Sequence, residues 1–269
     1  MIASLCMFAC GEKGGSEPAP APAPVPDPAP GVETVEITHH GRTVSAEVYR
    51  PDASYFPIVI FSHGYNGYKD DFKSSAQYLM ENGIGAITFT FCGSGARDTS
   101  GFATTDMTLY TEKEDLLAVM DYAKSLKWFD GLFLCGGSQG GMVTAMAAED
   151  RADDLNGVVL LYPAFNIPVD WKAMYPNDNK IPETIPWMGV TLGKNFVLAM
   201  RDLDIFEKMP QFSKPVLLFH GTADDLVNIS YSEQAAQTYP NAELIVKQGG
   251  VHGFLPPNEK LLEFIDDNY

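Results

Sequence analysis

From Val32 onward the chain alternates between short apolar runs that end in glycine or proline and amphipathic stretches that separate them. The segment TVEITHHGRTVSAEVYRP (34–51) alternates apolar and polar residues at period two on either side of Gly41. That pattern predicts an antiparallel hairpin. Six later runs are rich in β-branched or aromatic residues: FPIVIFSHG (56–64), GAITFTFCG (85–93), LFLCGG (132–137), GVVLLYPA (157–164), PVLLFHG (215–221) and AELIVKQGG (242–250). Near-continuous apolar strands of this kind are buried on both faces, as in a parallel sheet covered by helices. Helical periodicity fills the gaps. TEKEDLLAVMDYAKSLK (111–127) opens with Thr111 and Glu114 at capping-box spacing and keeps Leu116, Leu117, Met120 and Ala123 on one face. SYSEQAAQTY (230–239) and NEKLLEFIDDN (258–268) are shorter helices.

The hairpin and the six runs predict an α/β fold. Its core is a mostly parallel eight-stranded sheet with helices on both faces, right-handed crossovers and a site at the carboxyl ends of the strands. Residues 165–210 separate two strands by far more than an ordinary connection, which predicts an inserted lid. The first thirty residues break the pattern altogether. Every second residue from Pro18 to Pro30 is proline, so residues 11–31 read as an extended tether. Ahead of it, MIASLCMFAC resembles the end of a bacterial lipoprotein signal, with Ala9 before Cys10 and Gly11 after it. This predicts lipidation at Cys10, a true start upstream of Met1, and an exported, cell-surface protein that meets the membrane only through its anchor. Residues 32–269 form the folded domain.

Composition changes this picture little. At 269 residues the chain can build one substantial core, and 45% hydrophobic content is that of an ordinary globular protein. The net charge of −17 excludes nucleic acid and anionic membrane surfaces as natural partners. No Cys/His cluster has metal-ligand spacing and the glycine-rich turns lack a P-loop lysine, so no metal or nucleotide cofactor is implied.

The chemistry gathers at the strand ends. In LFLCGGSQGGMVTAMAAED, Gly136, Ser138 and Gly140 match G-x-S-x-G between an apolar run and a small-residue helix. That is the setting in which a strained turn exposes a nucleophilic hydroxyl. After VIFS, His63-Gly64 can turn the Tyr65 N–H into the site, and Gln139 offers an N–H at the start of a helix. Two such donors would stabilise an oxyanion. Serine needs a base. Of five histidines, His39 and His40 fall in the hairpin turn, where solvation is expected. His63 belongs to the oxyanion loop and His220 ends a core strand. His252 in GGVHGF remains. The acid should orient its imidazole from another strand end. HGTADDLV offers Asp224, with Asp225 as the alternative. The order Ser138, Asp224, His252 is that of an α/β-hydrolase.

SHGYNGYKDDF, GGSQGGMVTAM, YPAF, HGTADDLV and GGVHGF together resemble the α/β-hydrolase superfamily over roughly residues 35–268. Within it the chain is most similar to the bacterial cinnamoyl/feruloyl esterases, with dienelactone-hydrolase-like and prolyl-oligopeptidase-like proteins further off. The resemblance implies Ser138 as nucleophile, Asp224 and His252 as its partners, and the Tyr65 and Gln139 amides as the oxyanion hole. It also implies a lid that lines an aromatic acyl pocket. Trp187, set in a turn between Pro186 and Gly189, is the expected contact with the acyl group. The implied substrate is a small-molecule or plant-polysaccharide-linked carboxylic ester. A peptidase or amidase on the same fold, or a surface-tethered binding protein without activity, are the alternatives. The turn FCGSG (91–95) departs from the D-x-x-G-x-G of many relatives. The family's strand order places one strand between those that end in Cys92 and Cys135. Two spacings of about 4.8 Å exceed the roughly 7 Å Cα limit for a disulfide, so both are expected as free thiols.

Overall fold

The apolar runs become strands in a computed structural model that describes residues 29–269; Cys10 and the tract through residue 28 lie outside the described residues. Ten strands form: β1 (Gly31–His39), β2 (Arg42–Arg50), β3 (Phe56–Ser62), β4 (Gly85–Phe89), β5 (Phe129–Gly137), β6 (Gly157–Leu161), β7 (Thr184–Trp187), β8 (Val190–Gly193), β9 (Val216–Gly221) and β10 (Ala242–Lys247). The helices are α1 (Lys73–Glu81), α2 (Leu109–Ser125), α3 (Gln139–Asp150), α4 (Ile167–Met174), α5 (Lys194–Ala199), α6 (Ser230–Thr238) and α7 (Asn258–Asn268). Eight strands make one sheet in the order β1-β2-β4-β3-β5-β6-β9-β10. Pairing is antiparallel for β1–β2 and β2–β4 and parallel from β4 to β10. The parallel strands therefore end on one edge, where loops from β3, β5, β9 and β10 meet.

Period two within buried strands divides the core between two faces. On one face Ile58, Ile60, Leu132 and Leu134 pack with Leu116, Val119 and Met120 of α2 and with Met142 and Val143 of α3. On the other, Val59, Phe61, Phe133 and Cys135 pack with Leu79 of α1 and with Leu261 and Ile265 of α7. Each such large apolar side chain contributes roughly 1.5–3 kcal/mol on leaving water. Gly140, Gly141, Ala145, Ala147 and Ala148 let α3 lie close against the sheet, and all are buried. Cys135 on β5 and Cys92 beyond β4 are buried free thiols, with β3 between their strands.

Three local expectations change. The cap of helix α2 lies three residues earlier than expected, at Thr108, whose hydroxyl accepts from the Thr111 N–H while the Thr111 hydroxyl accepts from the Thr108 N–H. Strand β10 is not buried on both faces, because it forms the sheet edge with Glu243, Val246 and Lys247 exposed. His39 is not solvated, for its Nε2 lies 2.8 Å from the buried Asp115 carboxylate. Between β6 and β9 the insertion holds α4, the β7–β8 hairpin and α5. Among the described residues no helix is long and apolar enough to cross a membrane.

Candidate active site

Ser138 links β5 to α3 at φ 54°, ψ −123°, a conformation L-residues rarely adopt. The surrounding backbone holds it there. Its N–H donates to Leu161 O at 2.9 Å, and its carbonyl accepts from Ala164 N at 2.9 Å and Met142 N at 3.2 Å. Glycine is required beside it because a methyl on Gly140 would run into the main-chain oxygens of Ser62 and His63. The sharp turn and the close approach of α3 to the β3 loop thus share one cause.

His252 sits on the loop after β10, beside Gly253 at φ 85°. The Ser138 Oγ lies 2.9 Å from its Nε2, so the hydroxyl donates to that nitrogen. Its Nδ1–H faces both oxygens of Asp224, at 2.8 and 3.0 Å. The Tyr162 ring meets the imidazole edge-on at 4.9 Å. Asp224 has no exposed side-chain surface, and its Oδ1 accepts from the N–H groups of Leu226 and Val227 at 3.0 and 2.9 Å. Asp225 points to solvent. Behind Asp224, His220 is fully buried: its Nδ1 faces the Ser232 hydroxyl at 2.7 Å and its Nε2 the Val227 carbonyl at 3.0 Å. Burial pushes its pKa down, so it is a neutral structural histidine.

The loop after β3 carries the other polar groups. His63 is buried, and desolvation lowers its pKa to about 4. The neutral ring fixes its own tautomer: Nδ1–H donates to Gly64 O at 2.8 Å while Nε2 accepts from Phe91 N at 3.1 Å. The FCGSG turn is thereby held to the loop, and Asp115 accepts from Cys92 N at 2.8 Å on its other side. Gly64 lies against Ser138. Among the described residues neither the Tyr65 N–H nor the Gln139 N–H has an acceptor, and both residues border the cleft beside Ser138. The buried acids of α2 belong to no motif in the sequence. Asp115 also binds Arg42 Nε at 3.1 Å, and Glu112 accepts from the Gln139 side chain at 2.8 Å. Their only sequence signal is an acidic pair spaced onto the apolar face of a helix.

A cleft of about 820 Å³ opens over Ser138 and His252. Ile167, Trp171, Trp187 and Phe196 of the insertion line it, and exposed Met174, Met188, Leu226 and Leu255 ring its mouth. Trp187 ends β7 immediately before the Met188-Gly189 turn. Its ring packs on Trp171 at 5.0 Å and its carbonyl accepts from the Tyr65 hydroxyl at 2.9 Å. Phe165 packs in the core against Phe206, and Tyr175 stacks on Trp171 outside the cleft. Two carboxylates, Asp71 and Asp170, also border the cleft.

Comparison with known proteins agrees with this architecture. Est1E from Butyrivibrio proteoclasticus, in a structure with ferulic acid bound, superposes at TM-score 0.79 with 26% identity, over 87% of this chain and 96% of that one. A second structure of Est1E gives 0.76 and 25%, with the same coverage. Mouse alpha/beta hydrolase domain-containing protein 10 shares the fold at 0.69 and 19% identity, over 87% of this chain and 97% of that one. Among curated proteins no sequence matches. The family model for serine aminopeptidase S33 (Hydrolase_4) matches residues 54–204, which span the β3 loop, the Ser138 turn and most of the insertion. With more than half of the chain matched and the α/β-hydrolase sheet in place, the protein belongs to this hydrolase family.

Proposed function

We propose that the protein is a serine carboxylic ester hydrolase that works through an acyl-enzyme on aryl or other small esters. One observation carries the reading: the Ser138 hydroxyl, both nitrogens of His252 and the Asp224 carboxylate form a continuous hydrogen-bonded array at the floor of an apolar cleft. In the first step Ser138 Oγ attacks the ester carbonyl and passes its proton to His252 Nε2. The oxyanion takes hydrogen bonds from the Tyr65 and Gln139 amides. The imidazolium, paired with Asp224, then protonates the leaving alcohol as the C–O bond breaks. Water, deprotonated by His252, attacks the acyl-enzyme, and Ser138 recovers its proton as the carboxylic acid leaves. Trp171, Trp187 and Phe196 offer flat apolar surface for a planar acyl group. The likeness to Est1E, whose structure holds ferulic acid, supports that substrate class.

A second reading has its own observation. Asp71 and Asp170 could receive the α-ammonium of a peptide, in keeping with the aminopeptidase description of the family model. Purified protein should be labelled by a fluorophosphonate, and Ser138→Ala should not be; absence of labelling in the wild type would leave a binding protein on a hydrolase scaffold. Feruloyl, aryl and acetyl esters compared with aminoacyl arylamides then separate the two enzymatic readings. Faster turnover of the arylamides would favour the peptidase.

The sequence also supports export and lipid anchoring at Cys10. Native protein should partition with membranes, and Cys10→Ser should release it or leave it unprocessed.

A further inference from the structure

Glu112 is a carboxylic acid only 2% exposed, in the middle of the domain, with no cation at hydrogen-bonding distance. A buried, uncompensated acid is costly, and folds avoid it unless something needs it. Its side-chain partner is the amide of Gln139, whose Nε2 donates to Glu112 Oε2 at 2.8 Å. Gln139 is itself 2% exposed and follows Ser138 directly as the first residue of α3. Its main-chain N–H is one of the two donors assigned above to the oxyanion. The peptide that carries this N–H begins at Ser138, whose backbone is in a strained conformation. Anchoring the Gln139 side chain to α2 fixes the far side of that peptide.

We propose that Glu112 is a positioning residue for the oxyanion hole, holding Gln139 by its side-chain amide so that its main-chain N–H stays aimed at the reacting carbonyl. The inference rests on the reading of Ser138 as nucleophile. Glu112 touches neither substrate nor reacting atoms; it acts through Gln139.

The surroundings of Glu112 add a pH signature. Burial raises its pKa to about 8, the Gln139 hydrogen bond opposes that rise, and Asp115, one turn further along α2, adds to it. Facing it are the Gln139 amide from α3 and the Tyr65 phenol from the β3 loop, whose pKa is itself raised by burial and by the Glu112 charge. Arg42 and His39 of the β1–β2 hairpin engage Asp115. At neutral pH Glu112 is therefore largely protonated. As pH rises through about 8, a negative charge forms behind the oxyanion hole and opposes the negative charge of the transition state.

The test compares Glu112→Gln, Glu112→Leu and Gln139→Met with the wild type. Readouts are kcat and KM on an aryl ester, the second-order rate of fluorophosphonate labelling, and Tm. Removing one oxyanion donor outright costs about 100-fold or more, so a loosened donor should cost about tenfold. Glu112→Leu and Gln139→Met should each lose about that factor in kcat and in labelling rate, with KM nearly unchanged, and the double variant should lose no more than either. Glu112→Gln, which keeps an acceptor for the Gln139 amide, should retain neutral-pH activity and lose the alkaline fall in rate. A Glu112→Leu protein that labels at the wild-type rate would overturn the inference alone, as would an unchanged alkaline fall in Glu112→Gln. A wild type that fails to label would overturn the nucleophile assignment and this inference with it. If Glu112→Leu does not fold, the Glu112→Gln pH profile and Gln139→Met carry the same decision.

Discussion

His252 and Trp187 line the same cleft, yet they are held there by different means. Both nitrogens of His252 are engaged by directional bonds, to Ser138 and to a carboxylate with no exposed surface, and behind that carboxylate stand two backbone amides and a neutral histidine. Every partner comes from the end of a parallel strand of the one mixed sheet, or from the loop that follows it. Trp187 comes from a small hairpin in the insertion, tied to the domain by the Tyr65 and Thr104 hydroxyls, which donate to the Trp187 and Thr191 carbonyls, and by packing on Trp171. Neighbouring Met174 and Met188 are 45% and 58% exposed. Directional bonds among buried polar groups tolerate little displacement, whereas apolar contact adapts to what it meets. On the proposed reading, the strand ends fix the chemistry and the insertion shapes what reaches it.

Substitutions should divide along the same line. Ser138→Ala and His252→Ala should each lower ester hydrolysis on the order of 10⁵–10⁶-fold, the double variant no further, because the groups act as a unit. Asp224→Asn should cost on the order of 10⁴-fold by favouring the wrong imidazole tautomer. These losses should be alike for every ester; full activity in Asp224→Asn would move the acid to Asp225.

Next in size is Gly140→Ala. The added methyl meets backbone oxygens of the β3 loop, which cannot yield as a side-chain tip can. About 3 kcal/mol of stability should be lost, seen as a lower denaturation midpoint, with activity falling in parallel.

Two buried groups with opposite shifts should bound the stable pH range. His63, lowered to about 4 in the fold, takes up a proton first in the unfolded chain. Stability should therefore fall as pH drops from about 6.5 towards 4, by up to about 3 kcal/mol from this group. Glu112, raised to about 8, loses its proton first in the unfolded chain. Stability should therefore also fall as pH rises from about 4.5 to 8, and Glu112→Gln should flatten that limb in a series of melting temperatures against pH.

The insertion should respond in a substrate-dependent way. Trp187→Ala should weaken hydrolysis of feruloyl or other aryl esters by about 1–2 kcal/mol in kcat/KM and leave acetyl esters nearly unaffected. An equal loss on both, or a drop in Tm that accounts for it, would reduce Trp187 to packing. Smallest of all, Tyr65→Phe should cost about 1 kcal/mol or less, read in the same aryl-to-acetyl ratio, because it removes only the hydroxyl tie to the hairpin.

Sequence alone determined what depends on neighbours along the chain. The pattern of apolar positions gave all eight strands of the main sheet: period-two alternation marked β1 and β2, and contiguous apolar runs ending in glycine or proline marked the others, even edge strand β10. The turn at Ser138 was legible for the same reason: its strain and its small neighbours lie within a few residues. The long insertion was visible as a broken rhythm, and the order of Ser138, Asp224 and His252 reduced the partners to one histidine and two adjacent acids. Tertiary structure decided everything that turned on a distant partner. Asp224 and Asp225 differ in direction, not in composition, and only the turn after β9 aims one at His252 and the other at solvent. Phe165 and Trp171 look alike as apolar aromatics and both are buried in the core, but only Trp171 also lines the cleft. His39 read as a solvated turn residue because its acid, Asp115, lies on a helix far along the chain. Glu112 drew no reading from the sequence, since charges on an amphipathic helix face water unless a partner waits inside. Here the partner is the residue after Ser138, and only the packing of α2 against α3 brings them together.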